Sequence, residues 1–306
     1  MDRNTSASRG FPKELISTLV CQKDRGSLVA DGETPEYIVD GVLKCATCSE
    51  RYRIDGGILR MLPETQILGD TLASEMAARD REAEKYDRRI ASRHYREVIS
   101  TMHALGVLQG KTVIEYSCGT GRLTKEIVQK AHAVLAVDFS LISLKIVQHA
   151  LPPDAPVGLV LADSIRFITK EHTFDRGLAA QFFEHIPTER ERHLFLQHAA
   201  SAIKPGGTFV ATIYHHDLRR RLKKLSQEGM HKSGIYYYFF TMREIQKLFA
   251  QYFVPQKITP IDIMLPFAAR LHLSQKLSGY ISRCLECVLL MRLLGHLILY
   301  QGAPKK

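Results

Sequence analysis

Val113-Ile114-Glu115-Tyr116-Ser117-Cys118-Gly119-Thr120-Gly121-Arg122-Leu123-Thr124 is the stretch that decides the fold of this chain. An apolar, strand-like segment from Lys111 to Tyr116 runs into a turn of small residues and then into a helix-like segment. Seventeen residues past Gly121, a second strand, Ala133 to Val137, ends in Asp138. A glycine turn after a first strand lets backbone N–H groups approach a ligand closely. An acid at the tip of the next strand can hold ribose hydroxyls. Together they specify a nucleoside-containing cofactor. The dinucleotide fingerprint G-x-G-x-x-G does not fit, because the spacing here is Glu115-x-Ser117-x-Gly119-x-Gly121. No Lys-Ser or Lys-Thr pair follows the glycines, which excludes a phosphate-cradling P-loop.

That spacing resembles the first motif of class I S-adenosylmethionine (SAM)-dependent methyltransferases, acidic-x-Gly-x-Gly-x-Gly, with Ser117 where the family usually has its first glycine. Four further segments resemble the family in order. They are Ala136-Val137-Asp138-Phe139-Ser140; Leu159 to Ser164; Phe174 to Pro187, containing Gln181-Phe182-Phe183-Glu184-His185; and Ala202-Ile203-Lys204-Pro205-Gly206-Gly207. The resemblance runs over residues 75–302 and implies a Rossmann-like α/β fold. Its seven-stranded, mostly parallel sheet is flanked by helices, and its cofactor is SAM. It also implies site roles. Ser117, Gly119 and Gly121 would line the methionine part, with Glu115 holding that turn or meeting the cofactor amino group. Asp138 would bind the ribose and Phe139 would lie on the adenine. Asp163 and Ser164 would meet the adenine edge, and Gln181 and Phe182 would close the pocket. Tyr86, in Lys85-Tyr86-Asp87, resembles a tyrosine that covers the cofactor, and packing on the sheet explains it equally well.

Methyl transfer from a sulfonium is an in-line displacement, so the enzyme mainly positions two reactants and excludes water. A proton acceptor is the one further need. His185 is the leading candidate, because histidine titrates near neutrality. His215, His216 and Asp217 follow the fifth strand, and the two histidines also read as solvated loop.

Strand patterns fall at 111–116, 133–138, 157–162, 174–180, 207–214, 256–263 and 295–301, alternating with helices as βαβ units do. Residues 69–104 read as helix from the recurrence of Leu72, Met76, Ala77, Ala83, Tyr86, Ile90 and Tyr95. Thr188-x-x-Glu191 and Thr241-x-x-Glu244 read as capping boxes.

Residues 1–10 are polar and expected to be disordered; residues 11–62 look like a separate small module. Cys21, then Cys45-Ala46-Thr47-Cys48, then Tyr52 to Leu62 resemble the zinc-ribbon-like domain called Trm112-like. Asp24 stands where that pattern has its second cysteine, so the implied ligand set is Cys21, Asp24, Cys45 and Cys48. Structural zinc prefers four tetrahedral sulfur or nitrogen ligands, so three thiolates with a carboxylate are an uncommon set. Without metal, about fifty residues hold little core and must lean on the main domain. Structural zinc is therefore one of two open readings. Cys284-x-x-Cys287 is a second pair, on an apolar helix where burial is the plainer role.

The main domain spans residues 69–306, with lid segments at 215–240 and 265–294. In the second, Leu271, Leu273, Leu277, Ile281, Leu285, Leu289 and Leu293 recur near period four among Arg270, Lys276, Arg283 and Arg292. This predicts an amphipathic cover on the sheet edge, with peripheral membrane contact as the sharper reading. In the first, Arg219-Arg220-Arg221-Leu222-Lys223-Lys224 precedes Tyr236 to Phe240, which suits a lid over the acceptor or phosphate and base contacts. The 306 residues carry a formal charge of +10, which suits an anionic partner. No apolar run is long enough to span a bilayer. Met1 to Ser6 lacks a signal-like core and the thiols are scattered, so a reducing cytoplasm is expected. A small-molecule or lipid-like acceptor leads. RNA methylation and a non-catalytic scaffold are the alternatives.

Overall fold

Ala133–Asp138 is buried at all six positions, as a strand covered on both faces must be. The computed structural model describes residues 10–32, 34–62, 76–81, 83, 94–264 and 273–305. In chain order the strands are β1 (Phe11–Pro12), β2 (Leu28–Ala30), β3 (Tyr37–Ile38), β4 (Gly41–Cys45), β5 (Arg51–Asp55), β6 (Ile58–Arg60), β7 (Thr112–Tyr116) and β8 (Ala133–Asp138). They continue with β9 (Val157–Leu161), β10 (Phe174–Ala180), β11 (Ile203–Tyr214), β12 (Glu228–Met230), β13 (Tyr236–Tyr238), β14 (Phe253–Ile263) and β15 (Gly295–Pro304).

Among the described residues, eleven strands form one sheet in the order β14-β15-β11-β10-β7-β8-β9-β6-β5-β4-β2. Strands β7 to β11 run parallel, and β15 inserts antiparallel between β11 and β14. All seven predicted strands are present. β11 begins at Ile203 because Ile203 pairs with Phe174 before the Gly206-Gly207 turn and the chain rejoins β10 after it, with Thr208 opposite Arg176. Helices Leu141–Ala150, Glu189–Ala202 and Met242–Phe249 cover the faces. One core holds Phe174, Phe195, Phe209, Phe249 and Phe253; the other holds Val113, Val134, Leu144, Val147 and Leu178.

The small module is not a separate body. β6 pairs in parallel with β9, so the module's strands extend the main sheet beyond its third parallel strand. Phe11 and Leu15 fill the space above Gly158 in β9, where a Cβ would lie 2.7 Å from the Phe11 ring. Burying two such side chains contributes about 3–6 kcal/mol. The Gln22 amide also latches on, donating to the Ile168 carbonyl and accepting the Ile168 N–H, both at 2.9 Å. The module therefore leans on the domain through a shared sheet edge and a shared core.

Other expectations meet the structure unevenly. The helix expected over 69–104 is seen at 76–81 and again from His94, with a π-helical turn His94–Val98 running into helix Ile99–Leu105. Leu72, Tyr86 and Ile90 lie outside the described residues, as do residues 1–9 of the expected disordered terminus; Gly10 is buried. The Thr241–Glu244 capping box is complete. The Thr188 box is half formed: its hydroxyl accepts from the Glu191 N–H, but the Glu191 carboxylate turns to the Thr188 hydroxyl and to Arg166. No helix among the described residues is long and apolar enough to cross a membrane.

Candidate functional site

Strand order reverses between β7 and β10: the chain lays β8 and β9 on one side of β7, and β10 and β11 on the other. The carboxyl ends of strands at such a switch point leave a crevice that backbone loops can line. Ser117 to Gly121 leave β7 there, and Gln181 and Phe182 leave β10 there. Ser117, Gly119, Gly121 and Gln181 all have positive φ, at 51°, 54°, 79° and 51°. The turn is thereby coiled, with the Ser117, Cys118, Gly119 and Gly121 amides donating to Ser164, Val137, Asp138 and Cys118. A Cβ on Gly119 would meet nothing within 4 Å, whereas one on Gly121 would strike Val147 at 2.8 Å. Gly119 thus borders open space that a ligand can fill, and Gly121 is required for helix–strand packing.

Asp138, at the end of β8, closes the turn from the side. Its carboxylate accepts from the Gly119 N–H and the Ser140 N–H, both at 2.8 Å. Burial pushes its pKa up against those two hydrogen bonds. Phe139 is buried beside it. Glu115 lies under the turn, fully enclosed, and accepts the Thr124 hydroxyl at 2.7 Å. Burial pushes its carboxyl up to about 7. Ser164 is buried and accepts from both the Ser117 N–H and the Ser117 hydroxyl. Asp163 accepts the Ile165 N–H at 2.9 Å and is paired with Arg166, which reaches on to Glu191. These residues therefore gather at adjoining strand ends; Tyr86 lies outside the described residues.

Glu97 was not singled out in the sequence. It is fully buried on the π-helical turn, and its carboxylate accepts from Arg122, from the Gln181 amide and, at 2.7 Å, from the Thr212 hydroxyl. One side chain thus ties the turn after β7 to the loop after β10 and to β11. Next to it, Arg96 forms a buried ion pair with Asp262 of β14. A charge-rich helix gives no sequence signal for which two of its charges turn inward.

His185 is buried behind the Gln181 loop. Its Nδ1 lies 2.7 Å from the Tyr236 carbonyl of β13, which makes Nδ1 the donor and leaves the lone pair on Nε2. Burial, with the nearby positive charge of Arg79, holds its pKa well below the usual histidine value. Around it stand Tyr214, with ring centroids 5.8 Å away, and His231 at 6.1 Å; Phe239 stacks on Tyr214 at 5.0 Å. The β12–β13 hairpin of the first lid segment supplies His231, with Phe239 just after it, and β11 supplies Tyr214. His215 is not solvated: it is buried, with Nδ1 2.7 Å from the Gly295 carbonyl. It fastens the end of β11 to β15. The basic run forms a short helix, Leu218–Leu222, capped by Asp217, and Arg220 lies over the Phe239 ring at 3.5 Å.

In the small module, one ligand atom from each of Cys21, Asp24, Cys45 and Cys48 lies within 4.8 Å of the others. The Cys21 and Cys48 sulfurs are 3.6 Å apart, and Cys45 Sγ is 3.4 Å from Asp24 Oδ1. Sulfurs held about 2.3 Å from one tetrahedral ion have this spacing, so the donors fit zinc. The Gly26 N–H lowers the Asp24 carboxyl to about 2, which keeps it ionised as a ligand must be. Cys284 and Cys287 are exposed and lie outside this cluster.

A family model described as "Methyltransferase domain" matches residues 114–211. The chain is 32% identical over 113 residues to a ubiquinone biosynthesis O-methyltransferase of Paracidovorax citrulli, covering 36% of this chain and 46% of that one. The chain thus spans about half the length of the curated relatives it matches. Among solved structures, it is similar to a chain of the complex containing the Haloferax volcanii Trm112 methyltransferase activator. That match has a TM-score of 0.54 and 18% identity, covering 74% of this chain and 98% of that one. It is also similar to the Burkholderia thailandensis 1,6-didemethyltoxoflavin-N1-methyltransferase, with a TM-score of 0.52 and 15% identity, covering 85% and 98%. Residues 114–211 are a methyltransferase domain, and the chain around them has the fold of the class I SAM-dependent methyltransferases.

Proposed function

We propose that the protein transfers a methyl group from SAM to a small or lipid-like acceptor. The observation that carries this reading is the crevice at the β7/β10 switch point, where the positive-φ turn Ser117–Gly121 faces Asp138 on one side and the Gln181 loop on the other. The methionine part of SAM would lie along Ser117, Gly119 and Gly121, the ribose on Asp138 and the adenine against Phe139. Asp163 and Ser164 would border the adenine side, and Gln181 and Phe182 the methyl side. Taking up the ribose would require Asp138 to give up or share its bond from Gly119.

The reaction forms a bond from the acceptor atom to the methyl carbon as the carbon–sulfur bond breaks, and the sulfonium becomes a neutral thioether. Any proton lost by the acceptor needs a base. His185 suits that role, because its neutral state and its Nδ1–H donation leave the Nε2 lone pair to take a proton. The enclosing wall of Tyr214, His231, Tyr237 and Phe239 favours a small or flat acceptor over a folded polymer. The cations of the lid favour an acceptor with negative charge. The name of the curated relatives puts oxygen first among acceptor atoms.

RNA methylation rests on net charge and the basic run, and a non-catalytic scaffold on the Trm112-like module. Calorimetry with SAM and S-adenosylhomocysteine separates enzyme from scaffold: saturable binding to both is expected, and no binding to either would sink the reading. Methyl-label transfer into lipid, metabolite and RNA fractions of a cell extract then finds the acceptor.

A further inference from the structure

Helix Gln275–Leu285 keeps large apolar side chains on its outer face. It buries Ser278, Gly279 and Ser282, half-buries Ile281 and Leu285, and exposes Leu277 and Tyr280 beside Lys276 and Arg283. A surface helix in water usually shows only polar residues on that side. Beyond it, the five consecutive residues Cys287, Val288, Leu289, Leu290 and Met291 are all exposed, with Leu289 at 76% and Leu290 at 74%. The leucine stripe predicted to cover the sheet edge is thus partly turned to solvent at Leu277, Leu289 and Leu293. The short helix Leu218–Leu222 adjoins this segment, because Arg219 donates to the Leu294 carbonyl at 3.2 Å; it adds Leu222, 74% exposed, and Leu225. Nine of the sixteen exposed large apolar side chains among the described residues fall in these two segments. A chain does not scatter them so by chance, and clusters of this kind mark contact surfaces.

The charges name the partner. Residues 217–225 and 273–294 hold Arg219, Arg220, Arg221, Lys223, Lys224, Lys276, Arg283 and Arg292 against two acids, Asp217 and Glu286. Both acids are spent inward: Asp217 is buried, capping the helix and pairing with Arg219, and Glu286 accepts the Asp262 N–H at 2.9 Å. A second copy on a two-fold axis would set these cations against themselves. A nucleic acid would use the cations but leave the aliphatic run in water, since bases stack on aromatic rings. A bilayer with anionic headgroups satisfies both: leucines enter the acyl boundary and arginines and lysines stay among the phosphates.

We propose that this face, helix Leu218–Leu222 with Gln275 to Leu294, docks the protein on an anionic phospholipid bilayer. The proposal stands independently of which acceptor is methylated.

The test is co-sedimentation of the full chain with vesicles of phosphatidylcholine alone and of phosphatidylcholine mixed with phosphatidylglycerol. Binding to the mixed vesicles, weakened by salt, is expected. Leu289→Ser with Leu290→Ser, and separately Arg221→Glu with Lys224→Glu, should each lower the bound fraction about tenfold or more. All four residues are solvent-exposed, so circular dichroism of the variants should match the parent. Three outcomes overturn the proposal: no binding to mixed vesicles, binding unaffected by either variant, or a lipid-free dimer dispersed by the leucine variant.

Discussion

The backbone N–H and the hydroxyl of Ser117 both end on the Oγ of Ser164, at 3.0 and 3.1 Å. This pair explains how a serine serves where the family motif has a glycine. Ser117 sits at φ 51°, a left-handed conformation that costs a side-chain-bearing residue about 1–2 kcal/mol. The second hydrogen bond offsets part of that cost, and Ser164 at the end of β9 supplies it.

Removing the acceptor should expose this dependence. Ser164→Ala leaves the Ser117 N–H without its partner and should cost about 1–3 kcal/mol in urea unfolding, with weaker SAM binding. Ser117→Gly relieves the backbone and loses one bond, so its stability should stay within about 1 kcal/mol of the parent. A Ser164→Ala protein as stable as the parent would break the link.

Glu115 should make stability depend on pH near neutrality. Burial lifts its carboxyl to about 7, with the Thr124 hydroxyl and the Arg122 charge opposing. The folded chain therefore holds this proton more tightly than the unfolded chain does. Its contribution is complete below the ordinary carboxylate range and is lost as pH rises through about 7, to the extent of about 3 kcal/mol. Unfolding free energies measured from about pH 5 to about pH 8 should fall more steeply for the parent than for Glu115→Gln. Parallel curves would mean the carboxyl is already ionised.

His185 should behave as a base that stays neutral throughout the physiological range. Replacing it with Gln should lower kcat by about 10²-fold or more while the SAM Kd holds within about twofold. The acid limb of the parent's pH–rate profile should lie below about 6.5, because burial disfavours the imidazolium. An unchanged kcat would reduce His185 to a hinge between the Gln181 loop and the lid hairpin.

Glu97 and Arg122 should prove strongly coupled. Glu97→Gln keeps the shape but removes the buried negative charge to which Arg122, Gln181 and Thr212 all donate, which should cost about 3–5 kcal/mol. Adding Arg122→Gln should restore part of that loss, and a double-mutant cycle should report the difference. Additive effects would show that the two side chains act separately.

The cysteine cluster should carry zinc. Protein purified without chelators should contain one zinc per chain, and a chelator or Cys45→Ser should lower Tm. Because β6 is paired to β9, the loss should propagate into the main sheet instead of releasing the module alone. Metal analysis showing no stoichiometric zinc would end this reading.

Much of the architecture was legible along the chain. The central strands β8 and β9 are runs of apolar residues, and Ala133–Asp138 could be read without any partner strand in view. The motif residues Ser117, Gly119, Gly121 and Asp138 were also legible, because turn geometry constrains local sequence. Glu97 was not: its partners Gln181 and Thr212 lie 84 and 115 residues away, and a single glutamate on a charged helix carries no mark of burial. The solvated-loop reading of His215 failed because its partner, the Gly295 carbonyl, comes from β15, 80 residues away. The leucines of 277–293 were read as a cover on the sheet edge; the helix does lie on the edge strand, but Leu277, Leu289 and Leu293 face solvent, because periodicity shows that a helix has two faces, not how much of each is covered.

By itself the sequence determined the seven strands of the main domain, the glycine turn and the acid after the next strand, and the thiols with Asp24. Strands and turns are set by neighbouring residues, and the acid and the thiols stand out through their chemistry and spacing. Only the tertiary structure decided that the small module joins the main sheet through β6, that Glu97 bridges the crevice between β7 and β10, and that an apolar, basic face is left toward solvent. Those outcomes follow from which surfaces meet across long separations, and burial is a property of the assembled fold that no local stretch contains.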